Sequence, residues 1–245
     1  MFDVSAFLSY LANVYLLQGV VVTIGLTIAT MVFGLALGTA VALARMSANR
    51  LLREPASFYV WVFRGTPLLV QLVLIYTGLP QIGIKFGVLA SALLALSLNE
   101  GAYLSETIRG GFMGVPRGQT EAAKALGLSR LATLHKVLMP QVARLIIPPL
   151  GNSLNGLLKA TSLASVISLE ELMRRSQVLM QQNFEVLELY SVAAVYYLAL
   201  TTLWNLVQVR LERHYGRGYA YTTSTRKSDT AIQGIEAPIA GRLEG

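Results

Sequence analysis

Between Asp3 and Arg45 the chain carries no charged residue. Such a run cannot form a water-facing surface, and it is long enough to cross a bilayer, whose hydrocarbon core takes roughly 20 helical residues at about 1.5 Å each. The whole composition agrees: 54% of the 245 residues are hydrophobic and 13% are charged, with a mean hydropathy of +0.55. The fold class is therefore all-α, a polytopic membrane protein. Apolar runs place five transmembrane helices at about 19–44, 58–79, 87–108, 145–168 and 188–209. Asn13 and the Gln18-Gly19 pair put residues 4–17 outside the first span as an interfacial segment. Two tight spans would also fit that length, but the turn chemistry of a hairpin is missing. A cleaved signal peptide fits poorly, since no basic stretch precedes the apolar run. With no cysteine there is no disulfide, thiol nucleophile or thiolate metal site.

Charge sets the orientation. With the N-terminus outside, the inner segments hold fifteen of the twenty Lys and Arg, including Arg45, Arg50, Arg53, Arg109, Arg117, Lys124, Arg130, Lys136 and Arg144. The outer segments hold only Lys85, Arg174 and Arg175, so the loop from 109 to 145 faces the cytoplasm. The net charge of +7 then reflects topology and attraction to anionic lipid, and implies no nucleic-acid partner.

That loop contains EAAKALGLSRLATLHKVLMP, residues 121–140. Thr120 is a candidate N-cap for a helix opening at Glu121 and running through strong helix formers to Gly127, which suits a left-handed helix end. Ser129 caps a second helix, with Leu131, Leu134, Val137 and Leu138 on one face, until Pro140 stops it. Such a hairpin fits a groove on a soluble partner, or else packs as an amphipathic loop under its own bundle.

The order Glu121-Ala122-Ala123, three residues, Gly127, nine residues, Val137, one residue, Met139-Pro140 resembles the signature loop of permease subunits of bacterial ATP-binding-cassette importers. Isoleucine and leucine are commoner than Val137 and Met139 at those two places. FRGTPLLVQL (63–72), GAYLSETIRGG (101–111) and PPLGNSLNGLLKATSL (148–163) are similar to the polar amino-acid subfamily, over about residues 15–212. The resemblance implies a five-span, N-outside permease in the bacterial inner (cell) membrane, with a cytoplasmic helical coupling loop at about 116–140. Residues 1–18 form an external or interfacial segment, 19–212 the importer domain and 213–245 a flexible cytoplasmic tail. In the family the loop docks into a cleft of the nucleotide-binding subunit, so Glu121, Ala122, Ala123 and Gly127 are expected contacts and Leu131 and Leu134 anchors of the second helix. Implied partners are an ABC ATPase subunit pair, a second permease (itself or a homologue), an external solute-binding protein and the lipid bilayer. The chain has no phosphate-loop motif. No cofactor is therefore expected on it, and ATP and Mg belong to the partner ATPase.

Polar residues inside the spans remain to be placed. Asn99 and Glu100 fall in the third span, and Asn152, Asn155, Lys159, Thr161 and Ser162 in the fourth. Charge at that depth is costly and faces a bundle interior, a partner charge or a water-filled path. Glu100 and the stripe of Asn152, Asn155 and Lys159 offer acceptors for an ammonium and donors for a carboxylate, as a polar amino acid or close derivative needs. The structural alternative is a Glu100–Lys159 bridge, with the amides joining helices. Arg64, beside a break suggested by Gly65 and Pro67, lines the inner mouth of the path or meets a lipid headgroup. Glu106 and Arg109 read as an intrahelical pair. The outer loop 169–187, with Glu170, Glu171, Arg174, Arg175 and Glu185, is charged enough to receive an external protein. In the pattern Lys-Asp-Thr-Ser-Leu, common in the subfamily, this chain has Ala160. The rival reading, an ATP-independent secondary transporter of small polar solutes, would need matched internal repeats, which are not seen. His135 and His214 lie far apart and suggest no metal or catalytic role.

Overall fold

The computed structural model describes residues 2–216, and all regular secondary structure among them is helical. Helix α1 (Val4–Leu11) begins at Asp3. The Asp3 carboxylate accepts the N–H groups of Ala6 (3.1 Å) and Ser5 (2.8 Å). These bonds, Ala6 first, hold its carboxyl below the usual range. The chain breaks at Ala12 and Asn13, and Asn13 caps α2 (Val14–Met46) by accepting the Tyr15 N–H at 2.9 Å. The first long helix thus starts five residues before the expected span. It takes in Gln18 and Gly19, because Asn13 supplies the cap and Gly19 is needed against a neighbouring helix.

Three described helices are long and apolar enough to cross a membrane: α2, α5 (Val88–Met113) and α10 (Val186–Gly216, over Val186–Arg213). They cover three of the five expected spans. The expected span 58–79 is not one straight helix. It is α3 (Arg50–Gly65) followed by α4 (Leu68–Val73), a π turn (Leu74–Gly78) and a 3-10 turn (Leu79–Ile82), with a 106° bend at residues 66–67. Thr66 is extended (φ −116°, ψ 145°), the conformation that a following proline imposes. Counted as one bent span, this pair raises the total to four, against five expected. The expected 145–168 span is α8 (Met139–Ala160) plus a 3-10 stretch (Thr161–Ile167). Its Arg144, Lys159 and amides keep it out of the strongly apolar set.

Between α5 and α8 lie α6 (Arg117–Ala125) and α7 (Arg130–Thr133), and α9 (Leu172–Asn183) precedes α10. The bundle is organised by α2 against α5. A Cβ on Gly34 would sit 3.2 Å from Glu100 Cβ, and one on Gly38 would sit 2.9 Å from Gly101 O and from Leu104 Cβ. Contacts advance together along both helices, so the two run in the same direction. Their core continues through Leu26, Leu72, Ala92, Ala95, Leu96, Leu157 and Ile167, which joins α2, α4, α5, α8 and the 3-10 stretch. A second core of Leu16, Leu189 and Val192 fixes the start of α10 on α2.

The packing predicts an asymmetry between two glycines of one helix. Gly38→Val should cost about 1–3 kcal/mol by overpacking, whereas Gly25→Val meets nothing within 4 Å and should be close to neutral. Thermal unfolding of the two variants in detergent checks this, and equal midpoints would refute the α2–α5 contact.

Candidate functional site

The hairpin is built from local signals, with four differences from expectation. Helix α6 starts at Arg117 behind Pro116, so Thr120 and Glu121 lie inside it and Thr120 is no cap. Proline before the first turn supplies that start. The C-terminal end follows the glycine signal: Gly127 has φ +73°, its N–H donates to Lys124 O (2.9 Å) and the Leu128 N–H to Ala123 O (3.0 Å). Ser129 Oγ accepts the Ala132 N–H at 3.2 Å and caps α7. Pro140 does not stop the second helix. A π turn at Leu134–Leu138 widens the chain just before it, so the helix continues into α8 despite the missing N–H.

The other differences concern which way residues face. Glu121, Ala122, Gly127 and Leu131 are exposed, and Leu134 is half-buried. Ala123 is only 3% exposed, on a helix that packs against the second arm of the hairpin, so its side chain is not presented outward. Leu126, which sequence reasoning passed over as helix filler, is 81% exposed at the tip, and Leu131 is 66% exposed. Two large apolar side chains thus project from a hairpin outside the helix bundle.

Among the span residues, Asn99 belongs to the bend. Its Nδ2 donates to Phe63 O and to Gln71 Oε1, both at 3.1 Å. Gln71 Nε2 in turn donates to Phe63 O (3.0 Å), Thr66 O (3.1 Å) and Thr66 Oγ1 (2.8 Å). The carbonyls freed where α3 breaks are therefore satisfied by two side-chain amides, which is what makes a broken helix tolerable inside a membrane protein. Sequence reasoning missed Gln71. Its place as the fourth residue of α4, four positions after the proline of RGTP in an otherwise apolar run, was the available signal.

Asn152 and Asn155 join α8 to α10. Asn152 Oδ1 accepts Gln208 Nε2 at 3.1 Å, Asn155 Nδ2 donates to Asn205 Oδ1 at 2.9 Å, and Trp204 Nε1 donates to Gly151 O at 2.8 Å. Thr161 and Ser162 turn back on the end of α8, donating to Leu158 O (2.8 Å) and Lys159 O (2.7 Å). These four expected path residues are thus engaged in helix packing. Glu100 and Lys159 do not pair with each other, so the bridge alternative is not realised. Lys159 is exposed, while Glu100 lies against Gly34 with Oε1 buried and unpartnered.

The Glu106–Arg109 pair forms, with Glu106 Oε2 accepting Arg109 Nη2 at 2.7 Å, and the other oxygen of Glu106 meets Arg45 on α2. In the loop before α10, several expected receiving residues turn inward. Glu171 is fully buried, capping α9 through the Arg174 N–H (2.8 Å) and accepting the Tyr197 hydroxyl (2.8 Å). Arg175 donates to Tyr15 O (2.8 Å) and Gln18 Oε1 (2.7 Å) and stacks over the Tyr15 ring at 4.4 Å. Gly19 leaves room there for Leu172, whose Cα would be 2.9 Å from an added Cβ. Glu185 accepts the Tyr10 hydroxyl. No cluster of three or more metal-binding side chains occurs among the described residues.

The described residues thus form a helical membrane bundle from which an apolar-tipped hairpin projects. Residues 34–217 match the family described as binding-protein-dependent transport system inner membrane component, and the chain belongs to that family. It is 36% identical over 249 residues to the arginine transport system permease protein of Corynebacterium glutamicum, covering 96% of this chain and 78% of that one. It is 44% identical over 200 residues to the L-cystine transport system permease protein of Bacillus subtilis, covering 81% and 86%. In the crystal structure of an amino acid ABC transporter with histidines, one chain superposes with a TM-score of 0.82 at 33% identity, covering 87% of this chain and 99% of that one. A chain of the inward-facing MetNI methionine ABC transporter shares the fold, with a TM-score of 0.68 at 22% identity, covering 82% and 96%. The membership expected from the loop motif is borne out, and with it the all-α permease fold of a subunit that is not itself the ATPase.

The clamp at the bend yields a prediction. Asn99→Leu should strand buried carbonyl and amide groups and lower stability by about 1–3 kcal/mol. Amide hydrogen exchange should rise locally over residues 63–72, and unchanged exchange there would show that the amides do not hold the bend.

Proposed function

We propose that this chain is the permease subunit of an ATP-driven importer that carries a polar amino acid or close derivative across the bacterial inner membrane. Its N-terminus lies outside and its C-terminus in the cytoplasm, as the Lys and Arg distribution favours. The observation that carries the reading is the hairpin. Leu126 and Leu131 expose apolar surface beyond the bundle, on a loop rich in Lys and Arg, in a chain with no phosphate-loop motif of its own. An apolar tip of that kind suits the groove of a cytoplasmic ATPase.

In this mechanism two ATPase subunits hold ATP and Mg and close on each other. Each pulls or pushes one hairpin, with Glu121, Ala122, Leu126, Gly127 and Leu131 at the contact. The π turn makes α7 continuous with α8, so displacement of the hairpin is delivered directly to a helix that bears Lys159. A second permease, a copy or a homologue, completes the path, and an external solute-binding protein delivers substrate near Glu170 and Arg174. Glu100 offers an acceptor to the substrate ammonium and Lys159 a donor to its carboxylate.

Space around Gly127 makes the coupling test clean. A Cβ there meets nothing within 4 Å, so Gly127→Asp costs the fold only the strain of a left-handed residue, of order 1–2 kcal/mol. Gly127→Asp and Leu126→Asp should each lower recovery of a P-loop ATPase with the gently extracted complex by about tenfold, while the permease stays folded. Wild-type recovery and wild-type reconstituted uptake in both variants would overturn the docking. Separately, Lys159→Ala should raise by about tenfold the substrate concentration that half-stimulates ATP hydrolysis, with assembly intact. An unchanged concentration dependence would remove Lys159 from the path.

A further inference from the structure

Where α2, α3 and α5 meet, positive charge outnumbers negative. Glu106 is shared by two guanidiniums: one oxygen meets Arg45, and the other accepts Arg109 Nη2 at 2.7 Å and Nε at 3.1 Å. Arg64, at the end of α3, lies over the ring of Tyr103, one helical turn before Glu106 on α5, with Cζ 5.2 Å from the ring centroid. One carboxylate thus pairs with two arginines, and a third, Arg64, lies one turn away without an ion pair of its own, an excess of two positive charges. Arg45 is further under-satisfied, since its Nε is buried without a partner. Uncompensated cations near membrane depth are expensive, so this group calls for an anion.

Its surroundings indicate which one. Helix α3 exposes Leu51 (83%), Trp61 (72%) and Phe58 (63%) beside Arg50 and Arg53, the pattern of a helix lying in the plane of the headgroups. Tyr103 and Met113 are also exposed, at 43% and 69%, so the cluster opens at the molecular surface. The anion present at that level is a lipid phosphate, and guanidinium forks match its oxygens in pairs. We propose that Arg45, Arg64 and Arg109 form a binding site for the phosphate group of an anionic lipid in the leaflet at which α2 and α5 end. The bound phosphate neutralises the excess charge and ties α3 to the α2–α5 pair.

The test uses the full-length permease, delipidated in detergent and titrated with phosphatidylglycerol, phosphatidylcholine or inorganic phosphate, with retained lipid read by native mass spectrometry. Phosphatidylglycerol should be retained in preference to phosphatidylcholine. Arg64→Gln combined with Arg109→Gln should weaken it at least about tenfold, as expected from two lost charges at the headgroup. Arg50→Gln combined with Arg53→Gln should weaken it less than threefold. Equal losses in the two double variants would mean diffuse attraction to the surface and overturn the site. Displacement of the lipid by millimolar inorganic phosphate would assign it to a free anion instead of a lipid. If the first double variant fails to fold, Arg64→Gln alone, a change at an exposed residue, should still weaken retention about threefold, and wild-type retention would refute the proposal. Lipid retention is read without ATPase or substrate, so the result stands apart from the outcome of the importer tests.

Discussion

The close passage of α2 along α5 is the contact on which the rest of the bundle is assembled. In hydrocarbon, apolar side chains gain little by leaving lipid for protein, so helices associate through backbone proximity and packing. Gly34 and Gly38 supply that proximity by leaving no Cβ where Glu100, Gly101 and Leu104 must sit. The other elements take their places from this pair. Tyr59 on α3 donates to Leu98 O on α5, α9 lies on the first turns of α2 at Gly19, and α8 packs along α5. Glu106 and Arg45 close the same interface at its far end.

A second constraint, that no backbone group stay unpaired in a dry environment, explains most of the polar residues in the spans. The 106° bend between α3 and α4 frees carbonyls, and Asn99 and Gln71 satisfy them. The α-to-3-10 transition after α8 does the same, and Thr161 and Ser162 answer it. Asn152 and Asn155 are spent on α10. Subtracting these structural roles leaves Glu100 and Lys159 as the charged groups of the third and fourth expected spans that form no ion pair among the described residues. Fewer span residues are therefore free to meet a substrate than the polarity of the chain suggests.

How far the molecule could be read in advance follows the range of the interaction involved. The three strongly apolar helices were legible because each needs only its own length and composition. The turn at Gly127 and the cap at Ser129 were legible because both are set by residues three or four positions away. Pro140 was misread because the rule that proline ends a helix assumes an α turn before it, and here the turn is π. Ala123 was misread because a motif names residues without saying which way they face, and its 3% exposure depends on how the two arms of the hairpin pack.

The amino-acid sequence by itself determined that this chain enters a membrane, that it is helical, which end of its spans carries the positive charge, and where a hairpin interrupts it. Those properties come from transfer free energies and local backbone preferences, which act residue by residue. Tertiary structure alone decided which polar residues are consumed in holding helices together, that the second expected span folds into two arms, and that Arg45 from α2 comes to share Glu106 with Arg109 while Arg64 settles over Tyr103 one turn away. The reason is physical: pairing a carbonyl, burying an amide or crowding like charges depends on distances between segments far apart in the chain, and those distances exist only once α2 and α5 have packed.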